Sequence, residues 1–282
     1  MNLHRHLNRV LAPCERVVER IGPKVGRGIL VVVLLFLWLP IGVLVFMSFA
    51  EQNVLAFPPE GYTLDWYIVF LENDQAREAF LNTLKVSAVA TPIAVFISVL
   101  IAYAIDRYAF PGRSVLQLLA ALPIIVPLII VAVALTLFFG TIGLSAGFGT
   151  IVIAHVIRII PFAFLIILPT FMRFDRTLEE AAKDLGADEF RTFRRVTLPN
   201  VMPGIAAGTV LAFTISFNEF IYTYFVKDTA TETLPTFIWD QIRWEITPEI
   251  NVISVVFLGV AILTVLVAVG ITNVERVTER GR

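Results

Sequence analysis

Six long apolar runs alternate with short polar segments along this chain, at about 28–50, 82–105, 115–139, 148–172, 201–225 and 252–272. Crossing the hydrocarbon of a bilayer takes about 20 predominantly apolar residues. In lipid, only helices and closed barrels satisfy their own backbone groups, and runs of this length are helical rather than strand-like. The pattern therefore predicts an all-α polytopic membrane protein with six transmembrane helices. The first run could be mistaken for a cleaved signal because Ser48-Phe49-Ala50 suits a peptidase. Its apolar length exceeds the ~7–15 residues of such a segment, so it reads as a retained span.

Composition agrees with the pattern. The chain has 282 residues, 57% of them hydrophobic. Its charged fraction of 16% compares with about 25% in soluble domains. The mean hydropathy is +0.82.

A net charge of -1 conceals a strong asymmetry. Seventeen of the 22 Lys and Arg fall in residues 1–27, 106–114, 173–200 and 273–282. The positive-inside rule then predicts both termini and the 173–200 segment in the cytoplasm. This divides the chain into a cytoplasmic tail (1–27), a first span (28–50) and an extracytoplasmic segment (51–81). A five-helix core (82–272) contains the 173–200 loop, and a short cytoplasmic tail (273–282) follows. In 51–81, Trp66, Tyr67 and Phe70 share one helical side, as in an interfacial helix with aromatic anchors. A lone Cys14 excludes an intrachain disulfide. His4 and His6 form too weak a pair for a metal site.

The most informative polar stretch is 177–199. Thr177 and Glu180 have capping-box spacing. Gly186 is placed to end the first short helix in a left-handed cap. Asp188 is placed to cap a second helix, from Glu189 to about Val196, which Pro199 should stop. Glu180-Ala181-Ala182, then Gly186, then nine residues to Val196-x-Leu198-Pro199 resembles the EAA loop of ABC importer membrane subunits. The Arg107-x-x-Phe110-Pro111-Gly112-Arg113 turn and the Trp66-Tyr67 element are similar to the same family. Thr233-Leu234-Pro235 and Thr247-Pro248-Glu249-Ile250-Asn251 look most like the second permease subunit of spermidine/putrescine-type importers.

That resemblance implies a type I ABC importer permease fold with a cytoplasmic EAA coupling helix, in a bacterial or archaeal inner membrane. It implies that Glu180, Ala181, Ala182, Gly186, Leu198 and Pro199 couple the chain to an ATPase. The implied partners are a homologous permease subunit, two ABC ATPase subunits and an extracytoplasmic solute-binding protein, besides membrane lipid and with no nucleic acid. Any ATP and Mg would sit on the ATPase subunits, with no cofactor on this chain.

Within the spans, Arg158 is the costliest residue, at ~2.5–3.5 kcal/mol or more for mid-bilayer placement. Ser216-Phe217-Asn218-Glu219 in the fifth run brings a carboxylate to a comparable depth. Arg158, Asn218, Glu219 and Tyr222 are thus candidates for the pathway, or Arg158 and Glu219 for a buried pair that fixes register. His155 is the other unexpected residue of the fourth run. Glu219, Tyr222 and Tyr224 suit a polyamine cargo. Arg158 suits an anionic or zwitterionic one, and sugar or opine cargoes stay open. The sequence offers no catalytic residue, no phosphate-binding Gly-Lys-Ser/Thr loop and no metal-ligand spacing. A channel or membrane receptor is the rival class, but no selectivity-filter repeat or charged ring is visible.

Overall fold

The computed structural model describes the backbone of residues 3–51, 57–244 and 248–279, and side chains within 25–51, 57–243, 249–264 and at 266. His4, His6, Cys14 and Thr247 lie outside the described side chains.

The first helix, α1 (Leu3–Met47), takes in the basic tail and the first apolar run. Its residues 25–40 are all exposed within the chain. A helix that is apolar on every face belongs in lipid or against another subunit. Short helix α2 (Asp65–Glu72) folds back on its end. Trp66 Nε1 donates to Ala50 O at 3.0 Å, and Tyr67 OH lies 2.8 Å from Ser48 Oγ. The aromatic pair therefore ties α2 to α1.

The core is three helices packed pairwise: α3 (Asp74–Arg107), α6 (Phe148–Met172) and, once the connector has been passed, the long helix ending at Phe217. Asn73 caps α3 by accepting from Ala76 N at 3.0 Å. Small buried residues recur along α3 at four-residue spacing: Ala90, Ala94, Ser98 and Ala102. Between α3 and α6 come α4 (Arg113–Ala121), a single 3-10 turn and α5 (Leu128–Thr141). The third apolar run is thus two helical pieces bent by 105°. Pro123 and Pro127 sit at the break, where neither can donate a helical N–H.

The connector holds α7 (Thr177–Asp184) and α8 (Glu189–Thr192). A π turn at Phe193–Thr197 then leads without interruption into α9 (Leu198–Phe217). Pro199 does not stop the second helix, contrary to the sequence reading. It occupies the first turn of α9, where its missing N–H is tolerated, and the wider π turn absorbs the change of register.

Gly204, Gly208, Ala212 and Ser216 form a buried stripe on α9. A Cβ on Gly204 would lie 2.1 Å from Thr170 Cγ2, and one on Gly208 2.9 Å from Ile167 Cγ1. Absence of side chains is what lets α9 lie directly on α6, the usual way for helices to associate where lipid removes the hydrophobic drive.

The fifth apolar run ends as a helix at Phe217 rather than Phe225. After a break it resumes as α10 (Ile221–Val226), followed by α11 (Leu234–Trp244) and α12 (Pro248–Glu279). The last packs on α9, α2 and α1. Among the described residues, four helices are long and apolar enough to cross a membrane, five if the bent pair is one span.

Candidate functional site

Two polar regions stand out, one at each end of α9. The first is the connector. Thr177 and Glu180 do not form the expected capping box. Asp175 Oδ1 instead accepts from Thr177 N at 3.0 Å and from Thr177 Oγ1 at 2.8 Å. Hydrogen bonding by Thr177 holds the Asp175 carboxyl below the ordinary aspartate range. At the other end of α7 the sequence reading is matched by local geometry. Gly186 has φ +88°, Gly186 N donates to Lys183 O at 2.9 Å, and Ala187 N donates to Ala182 O at 3.0 Å. Those two bonds make a complete Schellman cap. Asp188 caps α8, accepting from Arg191 N at 2.8 Å.

Glu180, Ala181, Leu185 and Gly186 are exposed and Ala182 is half-buried, while Leu198 is half-buried and Pro199 exposed. Leu185 is 90% and Phe190 70% exposed. Two large apolar side chains that bare, beside a polar helix, mark a contact surface rather than a solvated face.

The inward-facing acid is Glu179, which sequence reasoning passed over. Glu179 Oε1 accepts from Arg107 Nη2 at the end of α3 and from Thr197 Oγ1 in the π turn. The Arg107 guanidinium lies 5.8 Å from the Tyr103 ring centroid and 5.6 Å from that of Phe174. Nearby, Arg176 Nη2 donates to Asp106 O at 2.8 Å and Oδ1 at 3.1 Å. Helical periodicity could have flagged Glu179, since it shares its face with the half-buried Ala182 rather than with Leu185.

The second region surrounds the break at 218–220. Arg158 and Glu219, proposed from sequence as a pair, are brought together: Arg158 Nε donates to Glu219 Oε2 at 3.3 Å. Glu219 Oε1 also accepts from Tyr222 N at 2.9 Å, so the carboxylate caps α10 as well as neutralising the arginine. Arg158 further lies 4.8 Å from the Phe162 ring centroid.

His155 bridges the two sides of the break. Its Nδ1 is 2.8 Å from Ser216 Oγ on α9, and its Nε2 is 2.8 Å from Thr223 Oγ1 on α10. The far end of α10 is held too, with Thr136 Oγ1 on Phe225 O and Thr150 Oγ1 on Val226 O, both at 3.0 Å. Beyond it, Lys227 Nζ donates to Glu232 Oε1 at 2.8 Å and Asp240 Oδ2 at 3.4 Å. Burial disfavours the Lys227 charge, but those two carboxylates outweigh it and raise its pKa.

Asn218 is exposed, its Nδ2 donating back to Thr214 O at 2.9 Å. Tyr222 is fully buried inside the chain. Tyr224 instead lines an aromatic cleft of about 620 Å3 with Phe220, Trp239, Ile129 and Arg243. Among the described residues, no group of three or more His, Cys, Asp and Glu could hold a metal ion.

Residues 90–280 match the family described as binding-protein-dependent transport system inner membrane component. The chain belongs to that family. It is therefore an ABC importer permease, a multi-pass inner-membrane transport component whose ATPase is a separate subunit. Spermidine/putrescine transport system permease protein PotC of Escherichia coli (strain K12) is 30% identical over 246 residues, covering 87% of this permease and 93% of PotC. Putrescine transport system permease protein PotI of the same organism is 30% identical over 231 residues, covering 79% and 82%. The "Probable molybdenum ABC transporter permease protein" of Haloferax volcanii is 31% identical over 276 residues, covering 93% and 95%. In structure, the permease resembles a chain of a bacterial importer of the acidic polysaccharide alginate, with TM-score 0.68, 19% identity and coverage of 93% and 98%. That importer is also known bound to its periplasmic protein carrying an alginate pentasaccharide, where the TM-score is 0.67 at 19% identity, with coverage of 90% and 94%. The fold is that of a type I ABC importer permease.

Proposed function

We propose that this permease forms half of a translocation pathway for a polyamine, delivered by an extracytoplasmic binding protein and driven by two ATPase subunits on the connector side. It spans the membrane six times, pairs with a homologous permease, and keeps both termini and the connector in the cytoplasm. Seventeen of 22 basic residues on that side support the orientation. ATP and Mg bind the ATPase subunits, and this chain carries no cofactor.

The observation that carries the coupling role is the bared connector. Leu185 and Phe190 project from a capped, rigid corner that also bears Glu180, Ala181 and Ala182. Force from a docked ATPase would pass into α9 through the continuous helical path at Phe193–Thr197. Alternating access then follows by rocking one bundle against its partner. Gly186→Val tests this. No atom lies within 4 Å of a Cβ there, so the cost is the left-handed backbone alone, about 1–2 kcal/mol for a residue with Cβ. The reoriented corner should abolish uptake while the ATPase subunits keep basal hydrolysis; normal uptake by the variant would refute the coupling role.

For the cargo, the names of PotC and PotI carry the reading. The ring centroids of Phe220 lie 5.5 Å from Tyr224 and 5.3 Å from Trp239, a lining on which ammonium groups and methylenes both bind well. Arg243 in the same cleft works against a cation. The Haloferax relative raises an oxyanion as the second reading. Arg158 is already neutralised by Glu219, which leaves Arg243 in the cleft as the charge that favours it. Uptake of labelled spermidine, putrescine and molybdate into proteoliposomes carrying the full transporter and its binding protein decides the matter. Polyamine uptake is expected, and molybdate uptake alone would refute it.

A further inference from the structure

Glu179 sits where the connector meets two core helices at once. Its carboxylate accepts from Arg107 on α3 and from Thr197 at the start of the α9 path. Arg107 and Glu179 side chains are only 11% and 12% exposed. The guanidinium is wedged between the Tyr103 and Phe174 rings, and Asp106 Oδ2 is 3.7 Å from its Nε. Arg176, three residues before Glu179, makes a second tie to the same helix end through Asp106.

The neighbouring motif residues face the other way. Glu180 and Ala181 are exposed, as is Leu185. One short helix therefore has an outward face for a partner and an inward anchor. Beside the anchor lies a polar cavity of about 150 Å3 lined by Tyr103, Tyr108, Lys183, Glu189 and Thr192. The buried Thr192 hydroxyl has no hydrogen-bond partner among the described residues. The connector thus rests on the bundle through charged contacts around a small void together with ring contacts: the Phe193 ring lies 5.1 Å from the Tyr103 ring on α3, and Phe174 packs against the core. The ion pairs are the part of that joint that fixes direction, because apolar packing is non-directional.

We infer that Glu179 is a positioning residue for coupling: through Arg107 and Thr197 it forces α3 and α9 to follow the connector together. This rests on the coupling role proposed above for the connector. Without the clamp, the connector still docks its ATPase but stays tied to α3 through the half-exposed Arg176–Asp106 pair and the Phe193–Tyr103 contact. α3, which packs along both α6 and α9, then follows it less closely.

The test uses the complete transporter in proteoliposomes with its ATPase subunits, partner permease and binding protein, after Cys14→Ser. In Arg107→Cys/Glu179→Cys the stranded-charge problem is removed, because both ionised groups are lost together. The complex should still assemble, with uptake down about tenfold or more, within the usual span of coupling energies. Hydrolysis should no longer be stimulated by the loaded binding protein. Joining the two thiols with a short bismaleimide should restore uptake, since a covalent tie replaces the ionic one.

A merely structural pair would show as a lowered melting temperature of the unlinked variant, whereas a positioning role lowers uptake in a complex of wild-type melting temperature. Normal uptake by the unlinked double variant, no recovery on linking, or failure of the variant to retain its ATPase subunits would each overturn the inference. Leu185→Asp separates this from the coupling reading itself. If that variant keeps its ATPase and transports normally, the coupling reading falls and the inference with it. If it sheds its ATPase while the unlinked double variant transports normally, only the inference falls.

Discussion

Gly204→Ala adds a single methyl group where α9 meets α6, and its cost can be worked from the contacts. The new Cβ would lie 2.1 Å from Thr170 Cγ2, 2.6 Å from Oγ1 and 2.8 Å from Cβ. Comfortable carbon–carbon contact is ~3.5–4.0 Å, so the two helices would have to part by more than an ångström at that point or Thr170 would have to rotate. Rotation is not free, because Thr170 Oγ1 donates to Ile167 O at 2.6 Å. Overpacking of this kind costs about 1–3 kcal/mol. Relief should be graded. Thr170→Ala removes the two nearest atoms but leaves the Cβ at 2.8 Å, so rescue is partial. Thr170→Gly removes all three, so the Gly204→Ala/Thr170→Gly pair should be at least as stable as Thr170→Gly alone, the reference that corrects for the new glycine, and up to ~1 kcal/mol better from the helix preference of Ala over Gly at 204. Thermal unfolding of the purified permease in detergent, followed by tryptophan fluorescence, measures each variant. Gly204→Ala with wild-type stability, or no rescue by Thr170→Gly, would refute the close-packing argument. Because α9 carries Ser216 to His155 and leads to Glu219, the same displacement should lower uptake in step with stability.

Glu219→Gln keeps an acceptor for Tyr222 N but strands Arg158, and breaking a buried pair from one side costs about 3–5 kcal/mol. Arg158→Met/Glu219→Met should recover most of that stability; recovered transport would mark the pair as structural, whereas stability without transport would mark a pathway role. His155→Leu leaves the Ser216 and Thr223 hydroxyls without their ring partner at the break, a loss of about 1–3 kcal/mol for each group left unsatisfied, and an unchanged melting temperature would contradict the bridging role. Lys227 has a raised pKa, so its ion pairs stabilise the fold fully below the ordinary lysine value of 10.5 and are lost as pH climbs through the raised one. Across that alkaline window the wild type should lose stability faster than Lys227→Met, and parallel curves would show that the Glu232 and Asp240 contacts carry no net weight.

Much of the connector was legible because its signals are local. Gly186 at φ +88° and Asp188 on Arg191 N follow from which residue types tolerate a left-handed cap or accept from a free N–H, whatever surrounds them. The stripe Gly204, Gly208, Ala212, Ser216 was equally available in the four-residue spacing, although the sequence reading did not use it. Arg158 and Glu219 could be matched by depth alone, because charge in hydrocarbon demands a partner.

Other features depended on neighbours distant in the chain. Two adjacent glutamates look alike in sequence, yet Glu179 turns inward because the end of α3 puts Arg107 there, 72 residues away. Two misreadings were local instead: Thr177 lost its capping role to Asp175 two residues before it, and Pro199 became the start of a helix rather than its stop because the adjoining π turn re-set the register. Within the apolar run through Phe225, Asn218-Glu219 marked the place but not the break; α6, offering His155 and Arg158 at that level, and α5, offering Thr136, satisfy the interrupted chain. The sequence by itself determined most of the apolar rods and the caps at Gly186 and Asp188, since each depends on residues within a turn or two. The tertiary structure decided which polar groups meet, because a buried hydrogen bond needs both partners positioned, and here those partners come from different helices.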